Sequence, residues 1–450
     1  MRAAAKLSED PRLTAFNVLR RWEGGEALEE ALERLGGLLT PRDAALASAL
    51  VYETVRHLSR LDFILDRKLR DRRTPGGVRD VLRLGLAQLL FLDRMAEFAA
   101  VTETVELAKK VVPGRAGLVN AVLRGALRAR TEGDCFPDER DGRLTPPVQR
   151  LATFYSHPLW LAERLVASLG FRQARALMAA DNVSAPPTIR LNPLKTDRPT
   201  LAASLPWPTR PAVWSPWGLV PLKAAGRPES WPGFAEGLFA VQDESSQLLG
   251  LLARDRRPGR ILDACAGLGG KSLALAALLP EAEIVSVDRH GARLAKLAAE
   301  ARRLGLPRPP RTLQADLLAL TLEGSFDLAV VDAPCSGLGV VRRRPDLKWR
   351  KTAQDPARLA ELQLALLQAA AEFVAPGGRL IYSVCTYTDQ EGEGVRDKFL
   401  AVRPDFAPAE ESAVAPALRP LLTGAGTLRL WPHRHGTDGF FYALLEKSDS

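Results

Sequence analysis

Cysteine is scarce in this chain, and no apolar run is long. The 450 residues include four cysteines, Cys135, Cys265, Cys335 and Cys385, and no pair has a C-x-x-C spacing. That excludes a disulfide framework and a zinc knuckle, and free thiols in a reducing cytoplasm are expected. His433 and His435 have no cysteine or carboxylate pattern around them, so no metal site is expected. No apolar stretch reaches the ~20 residues that span a bilayer. Met1 to Arg12 mixes charge with alanine and lacks the apolar segment of a secretory signal. Internal repeats and low-complexity tracts are absent as well.

What is present is a long, basic, globular chain. Its length exceeds one ordinary core, so two or three domains are expected. A net charge of +9 favours a polyanionic partner without naming one. From residue 12 to 130 apolar residues recur three and four apart, as in Leu46, Leu50, Val51 and Val55, which predicts a helical bundle. Pro41-Arg42-Asp43 suits a first helical turn, and the run Arg72 to Gly77 suits a break. Between 131 and 235 proline and tryptophan become dense, with short helices at Pro158–Leu169 and Arg172–Ala180 and a strand at Thr188–Asn192. From Gly237 onward strands and helices alternate. Strands are expected at Arg260–Ala264, Glu283–Val287, Arg311–Ala315, Phe326–Asp332 and Gly378–Val384. Helices are expected at Lys271–Leu279, Ala292–Leu304, Ala353–Val374 and Gln390–Leu400. This alternation predicts a parallel sheet covered on both faces, with ligands at the carboxyl ends of its strands.

Every chemical motif falls at such a strand end. Cys265-Ala266-Gly267-Leu268-Gly269-Gly270-Lys271 follows the first strand and opens a helix, so its backbone can approach a ligand closely. Asp288 ends the next strand roughly twenty residues on, where an acid binds ribose hydroxyls. A packing loop with a capping aspartate is the bland alternative. Gly270-Lys271-Ser272 suggests a nucleotide-phosphate loop, but that motif requires glycine where Cys265 stands. Asp316 ends the third strand and suits either an adenine contact or a helix N-cap. Asp332-Ala333-Pro334-Cys335 and Val384-Cys385 end two further strands. A reactive cysteine beside a methyl donor makes chemical sense: carbon 5 of cytosine is a poor nucleophile until a thiolate adds at carbon 6. The run Arg342 to Lys351 is basic with one tryptophan. It reads as a solvated charge run or as an RNA grip through Arg343, Arg344, Lys348 and Trp349.

Together these motifs resemble the RsmB (Sun/Fmu) family of 16S rRNA cytosine-C5 methyltransferases. So do Leu82-Arg83-Leu84-Gly85, Glu103 to Lys109, Gly117 to Arg124, Val241-Gln242-Asp243 and Gly436 to Phe441. The resemblance covers nearly the whole chain. It implies a NusB-like helical RNA-binding domain (1–135), a small α+β linker subdomain (136–235) and a Rossmann-like methyltransferase domain (236–450). It implies S-adenosylmethionine held by Cys265 to Lys271, with Asp288 on the ribose, Asp316 on the adenine side and Asp332 near the methyl group and base. Cys385 would be the nucleophile, and Cys335 would assist release. The implied substrate is 16S rRNA before or during small-subunit assembly, met by a cytoplasmic monomer. The sequence departs from the family at Gly267-Leu268 (usually Ala-Pro), Arg344 and Thr437 (usually histidine) and Val384 (usually serine or threonine). Three alternatives stay open: methylation of tRNA, methylation of DNA with Cys335 as nucleophile, and a non-catalytic RNA-binding scaffold.

Overall fold

The computed structural model describes residues 10–69, 74–92, 95–132, 146–223 and 226–449. Cys135, the expected boundary at 135/136 and Arg72-Arg73 of the expected break lie outside them. The chain forms two compact units, one of residues 1–182 with 348–350, the other of residues 183–347 with 351–450.

The first unit is helical. Its helices include Pro11–Glu23, Pro41–Arg56, Leu58–Lys68, Gly76–Phe91, Glu97–Val111, Ala116–Glu132 and Leu159–Asp181. Local chemistry sets their starts. Asp10 and Thr40 cap two of them through side-chain oxygens, each with proline in the first turn. The last helix is kinked at Gly170, whose φ is 74°. Val18, Leu50, Val81, Leu86 and Leu123, from four of these helices, share one core. Lys348 is wholly buried in this unit. Its Nζ donates to the Arg56 carbonyl (3.0 Å) and to Asn182 Oδ1 (3.3 Å). Trp349 Nε1 donates to the Val55 carbonyl (2.7 Å).

The second unit opens with a small antiparallel sheet of β1 (Ile189–Leu191), β2 (Thr209–Pro211), β3 (Gly218–Pro221) and β4 (Phe239–Val241), in the order β2-β3-β1-β4. Trp217, Trp231 and Phe239 are buried in its core, so the proline- and tryptophan-rich stretch packs. β4 lies beyond the expected boundary at 235/236, yet it pairs with β1.

The large sheet contains β5 (Arg260–Asp263), β6 (Glu283–Asp288), β7 (Arg311–Gln314), β8 (Phe326–Asp332), β9 (Val374–Val384), β10 (Phe406–Pro408), β11 (Leu422–Gly424), β12 (Thr427–Leu430) and β13 (Phe440–Lys447). The order is β11-β12-β13-β9-β8-β5-β6-β7, with β10 on β13. Alternate residues face opposite sides: Ile261, Ile284 and Leu328 in one core, Leu262, Val285 and Ala329 in the other. The five expected strands form the parallel part of this sheet. Pairing is parallel from β7 to β9, but β13 runs antiparallel to β9 and to its other neighbours. The physical reason is connection length. Only Ala425-Gly426 separates β11 from β12, and a helical turn at Pro432–His435 separates β12 from β13, both too short for a parallel crossover.

Burial pushes the Lys348 ammonium down from 10.5 to about 7, with Arg56 adding repulsion and Asp181 opposing. Between those two pH values the unfolded chain binds a proton that the folded chain does not, so folding stability rises with pH across that window. Lys348→Met is expected to flatten that rise in thermal melts. An unchanged pH slope would show that the amine is not buried as described.

Candidate active site

The strand order reverses between β5 and β8, and the carboxyl ends of β5 to β9 open on one cleft of about 820 Å³. Its floor is the turn after β5. Asp263 is buried there, and burial pushes its carboxyl up to about 6. It accepts from Ser272 Oγ at 2.5 Å, which pins the two ends of the glycine-rich turn together. Gly267 has φ 55°, and its N–H donates to Asp288 Oδ2 at 3.0 Å. At Gly269 (φ 85°) a Cβ would lie 2.3 Å from Leu297 Cγ, so no side chain fits. Arg190 of β1, wholly buried, donates to the Gly270 carbonyl (3.0 Å) and to Gln242 Oε1 (2.5 Å), bracing the turn from the small sheet.

The strand-end acids line the same cleft. Asp288 Oδ1 accepts from the His290 N–H at 2.7 Å. Asp316 caps a 3₁₀ turn through the Leu318 N–H (3.1 Å) while lining the cleft, so both readings of this residue describe its place. Cys265 lies there too, its thiol held neutral by burial and by Asp263, Asp332 and Asp288. Asp332 is held from two sides, by Lys271 Nζ at 2.5 Å and Ser383 Oγ at 2.8 Å. Lys271 in turn sits 5.0 Å from the Phe440 ring centroid.

The two remaining cysteines meet. Cys335 Sγ lies 3.3 Å from Cys385 Sγ, and both are partly exposed at the cleft. The hydrogen bond with Cys385, burial and the negative charges of Glu391 and Asp332 all raise the Cys335 pKa far above the usual thiol range. The two thiols are close enough to share a hydrogen bond in which either sulfur can be the donor.

Behind the thiols stands Glu391, which the sequence reading missed. It is wholly buried and accepts from Ser336, Gln363, Thr386 and Thr388. The available signal was Thr388-x-x-Glu391, the spacing of a capping box. The next helix starts only at Glu393, and the Glu391 carboxylate turns inward.

The expected RNA grip is largely redirected. Lys348 and Trp349 are committed to the helical unit by the bonds given above. Arg343 forms ion pairs with Asp243 (2.6 Å) and Asp438 (2.8 Å). Short-range partners absorb these side chains, which charge counting along a sequence does not reveal. Arg344 lines the cleft, as does Lys351, which was not singled out. His435, weighed as a metal ligand, accepts the Trp431 N–H through Nδ1 (2.9 Å). Among the described residues no group of three or more His, Cys, Asp or Glu could hold a metal ion, and no helix is long and apolar enough to cross a membrane.

Residues 251–446 match the family model for 16S rRNA methyltransferase RsmB/F. Residues 9–128 match the NusB family, and residues 157–216 match the ferredoxin-like domain of RsmF/B-like methyltransferases. A ribosomal RNA small subunit methyltransferase B of Thermus thermophilus is 37% identical, over 98% of this chain and 98% of its own length. The chain belongs to the RsmB/F family of 16S rRNA methyltransferases. A probable ribosomal RNA small subunit methyltransferase B of Synechocystis sp. is 36% identical over 94% of this chain and 95% of its own. The crystal structure of PH0851 superposes with a TM-score of 0.77 at 25% identity, covering 98% of this chain and 100% of that one.

The RsmB/F family uses S-adenosylmethionine as methyl donor, and the cleft fits it. Asp288, Asp316 and Asp332 offer carboxylates to a donor that carries a sulfonium, an ammonium and ribose hydroxyls. A Cβ built on Gly267 would meet nothing within 4 Å, so the turn leaves room for a ligand against its backbone.

Proposed function

We propose that this protein methylates carbon 5 of a cytosine in small-subunit ribosomal RNA through a covalent bond between Cys385 and carbon 6 of the base. The observation that carries this reading is the contact of two thiols that line the cleft at the strand ends, which we read as the methyl-donor site. The names borne by the relatives support ribosomal RNA as the substrate.

The target base leaves its stack to reach the cleft. Cys385 attacks carbon 6 as a thiolate, and the Cys335 S–H stabilises the negative sulfur before attack. Asp332, kept in place by Lys271 and Ser383, faces the base, and in its protonated form it donates to N3 as negative charge builds on the ring. Bound S-adenosylmethionine supplies the electrophilic methyl group. Release then requires loss of the proton on carbon 5 and departure of Cys385 from carbon 6. Cys335, beside the adduct, assists that elimination after giving its own proton to solvent: the thiolate so formed takes the proton from carbon 5, and the raised pKa of the thiol makes that thiolate the stronger base. Among the residues expected to bind RNA, Arg344 lies where it can meet a phosphate, and Lys351 can join it.

Asp288 is assigned to the ribose, and Cys265 to Lys271 to the donor's main-chain cradle. Asp288→Ala is expected to raise the S-adenosylmethionine dissociation constant at least about tenfold, since hydrogen bonds to a charged group contribute about 1.5–3 kcal/mol. Calorimetric titration measures it, and an unchanged constant would remove Asp288 from the donor site. For the thiols, Cys385→Ala is expected to abolish methylation and form no adduct. Cys335→Ala is expected to transfer methyl but remain bonded to the RNA, giving a denaturation-resistant band on a gel. The opposite pattern would assign attack to Cys335, as in the DNA-type reading.

A further inference from the structure

Glu391 contacts neither the expected donor turn nor the cleft, yet it bonds to both cysteine loops. Oε1 accepts from the Ser336 N–H (2.7 Å) and Gln363 Nε2 (3.1 Å). Oε2 accepts from Ser336 Oγ (2.6 Å), Thr388 Oγ1 (2.7 Å) and Thr386 Oγ1 (3.3 Å). Ser336 directly follows Cys335, and Thr386 directly follows Cys385. The two hydroxyls also meet each other at 2.9 Å. Gln363 extends the network by donating to the Pro334 carbonyl (2.9 Å), one residue before Cys335. The Glu391 main-chain carbonyl accepts from the Tyr382 phenol Oη on β9 at 2.6 Å.

A carboxylate removed from water is costly unless its lone pairs are filled. Here they are filled by donors from both loops. An apolar side chain of similar size would pack the space without that cost but would tie nothing together. We propose that Glu391 is a positioning residue for the thiol pair: its buried carboxylate ties the Cys335 loop to the Cys385 loop and sets the separation of the two sulfurs. This rests on reading that pair as the reactive centre, but its geometry can be tested without any methyl transfer.

The test is disulfide closure in the full-length protein treated with diamide. Two S–H bonds break, one S–S bond forms between Cys335 and Cys385, and the diazene takes up the two protons and two electrons to become a hydrazine. The rate is read by mass spectrometry of the joined peptides, on protein shown to be folded by thermal melting. Two sulfurs held in contact should close quickly. Glu391→Ala is expected to slow closure at least tenfold. Glu391→Gln is expected to stay within threefold of the parent. Its amide oxygen keeps the Ser336 N–H and Gln363, and two of the three hydroxyls can turn to accept from the two N–H bonds of its NH₂ group. A merely structural role predicts a lower melting temperature with unchanged closure in the folded protein. Should Glu391→Ala fail to fold, Thr386→Val removes one tether at constant shape and is expected to slow closure about threefold. Closure at the parent rate in the folded Glu391→Ala protein, or in Thr386→Val where the former does not fold, overturns the proposal. Retained methylation in Cys385→Ser would overturn the chemical reading alone and leave the closure result standing.

Discussion

The pairing of β8 with β5 on one side and β9 on the other is the constraint from which the site follows. Parallel strands bring their carboxyl ends to one edge, so the turns after all three open on the same cleft. The register places Asp332 opposite Ser383. Cys385 comes directly after β9, and Cys335 comes three residues after β8 on the turn stiffened by Pro334. Their sulfur contact depends on that register. A slip by one residue would turn the side chains of the slipped strand from one core to the other and part the two thiols.

Charge arrangement then separates the roles. The cleft is walled by carboxylates, which suits a cationic donor. Lys271 lies against Asp332, so this acid of the cleft is ion-paired. Cys335 is kept protonated by its neighbours, among them two carboxylates, Glu391 and Asp332. A pair of thiols in contact would otherwise be chemically equivalent. Their surroundings differ, since beyond the hydrogen bond with Cys385, burial and two carboxylates press on Cys335 and raise its pKa.

Much of this was legible in the sequence, for reasons tied to particular residues. The helical unit announced itself through long apolar periodicity, and the five parallel strands through short apolar runs followed by Asp, Gly or Cys. The carboxyl-end rule then placed the donor turn, Asp288, Asp316, Asp332 and both cysteines on one cleft before any coordinates. The antiparallel strands β10 to β13 were not read because they are short or lack the helices that punctuate the earlier ones. Glu391 was hidden because its function lies in side-chain contacts among Ser336, Gln363 and Thr386, distant in sequence. Lys348 and Trp349 misled because a basic run looks the same whether its side chains meet solvent, phosphate or a protein interior. Burial is set by tertiary partners such as the Arg56 and Val55 carbonyls, which no local pattern encodes.

The central claim is that the bond to the base is made by Cys385. The most direct measurement uses ribosomal RNA carrying 5-fluorocytidine, in which carbon 5 has no proton to lose, so that the methylated adduct cannot eliminate. Digestion of the trapped complex and peptide mass spectrometry then identify the modified residue. A nucleotide on the peptide containing Cys385, with Cys335 unmodified, is the expected result. A nucleotide on Cys335 would contradict the account.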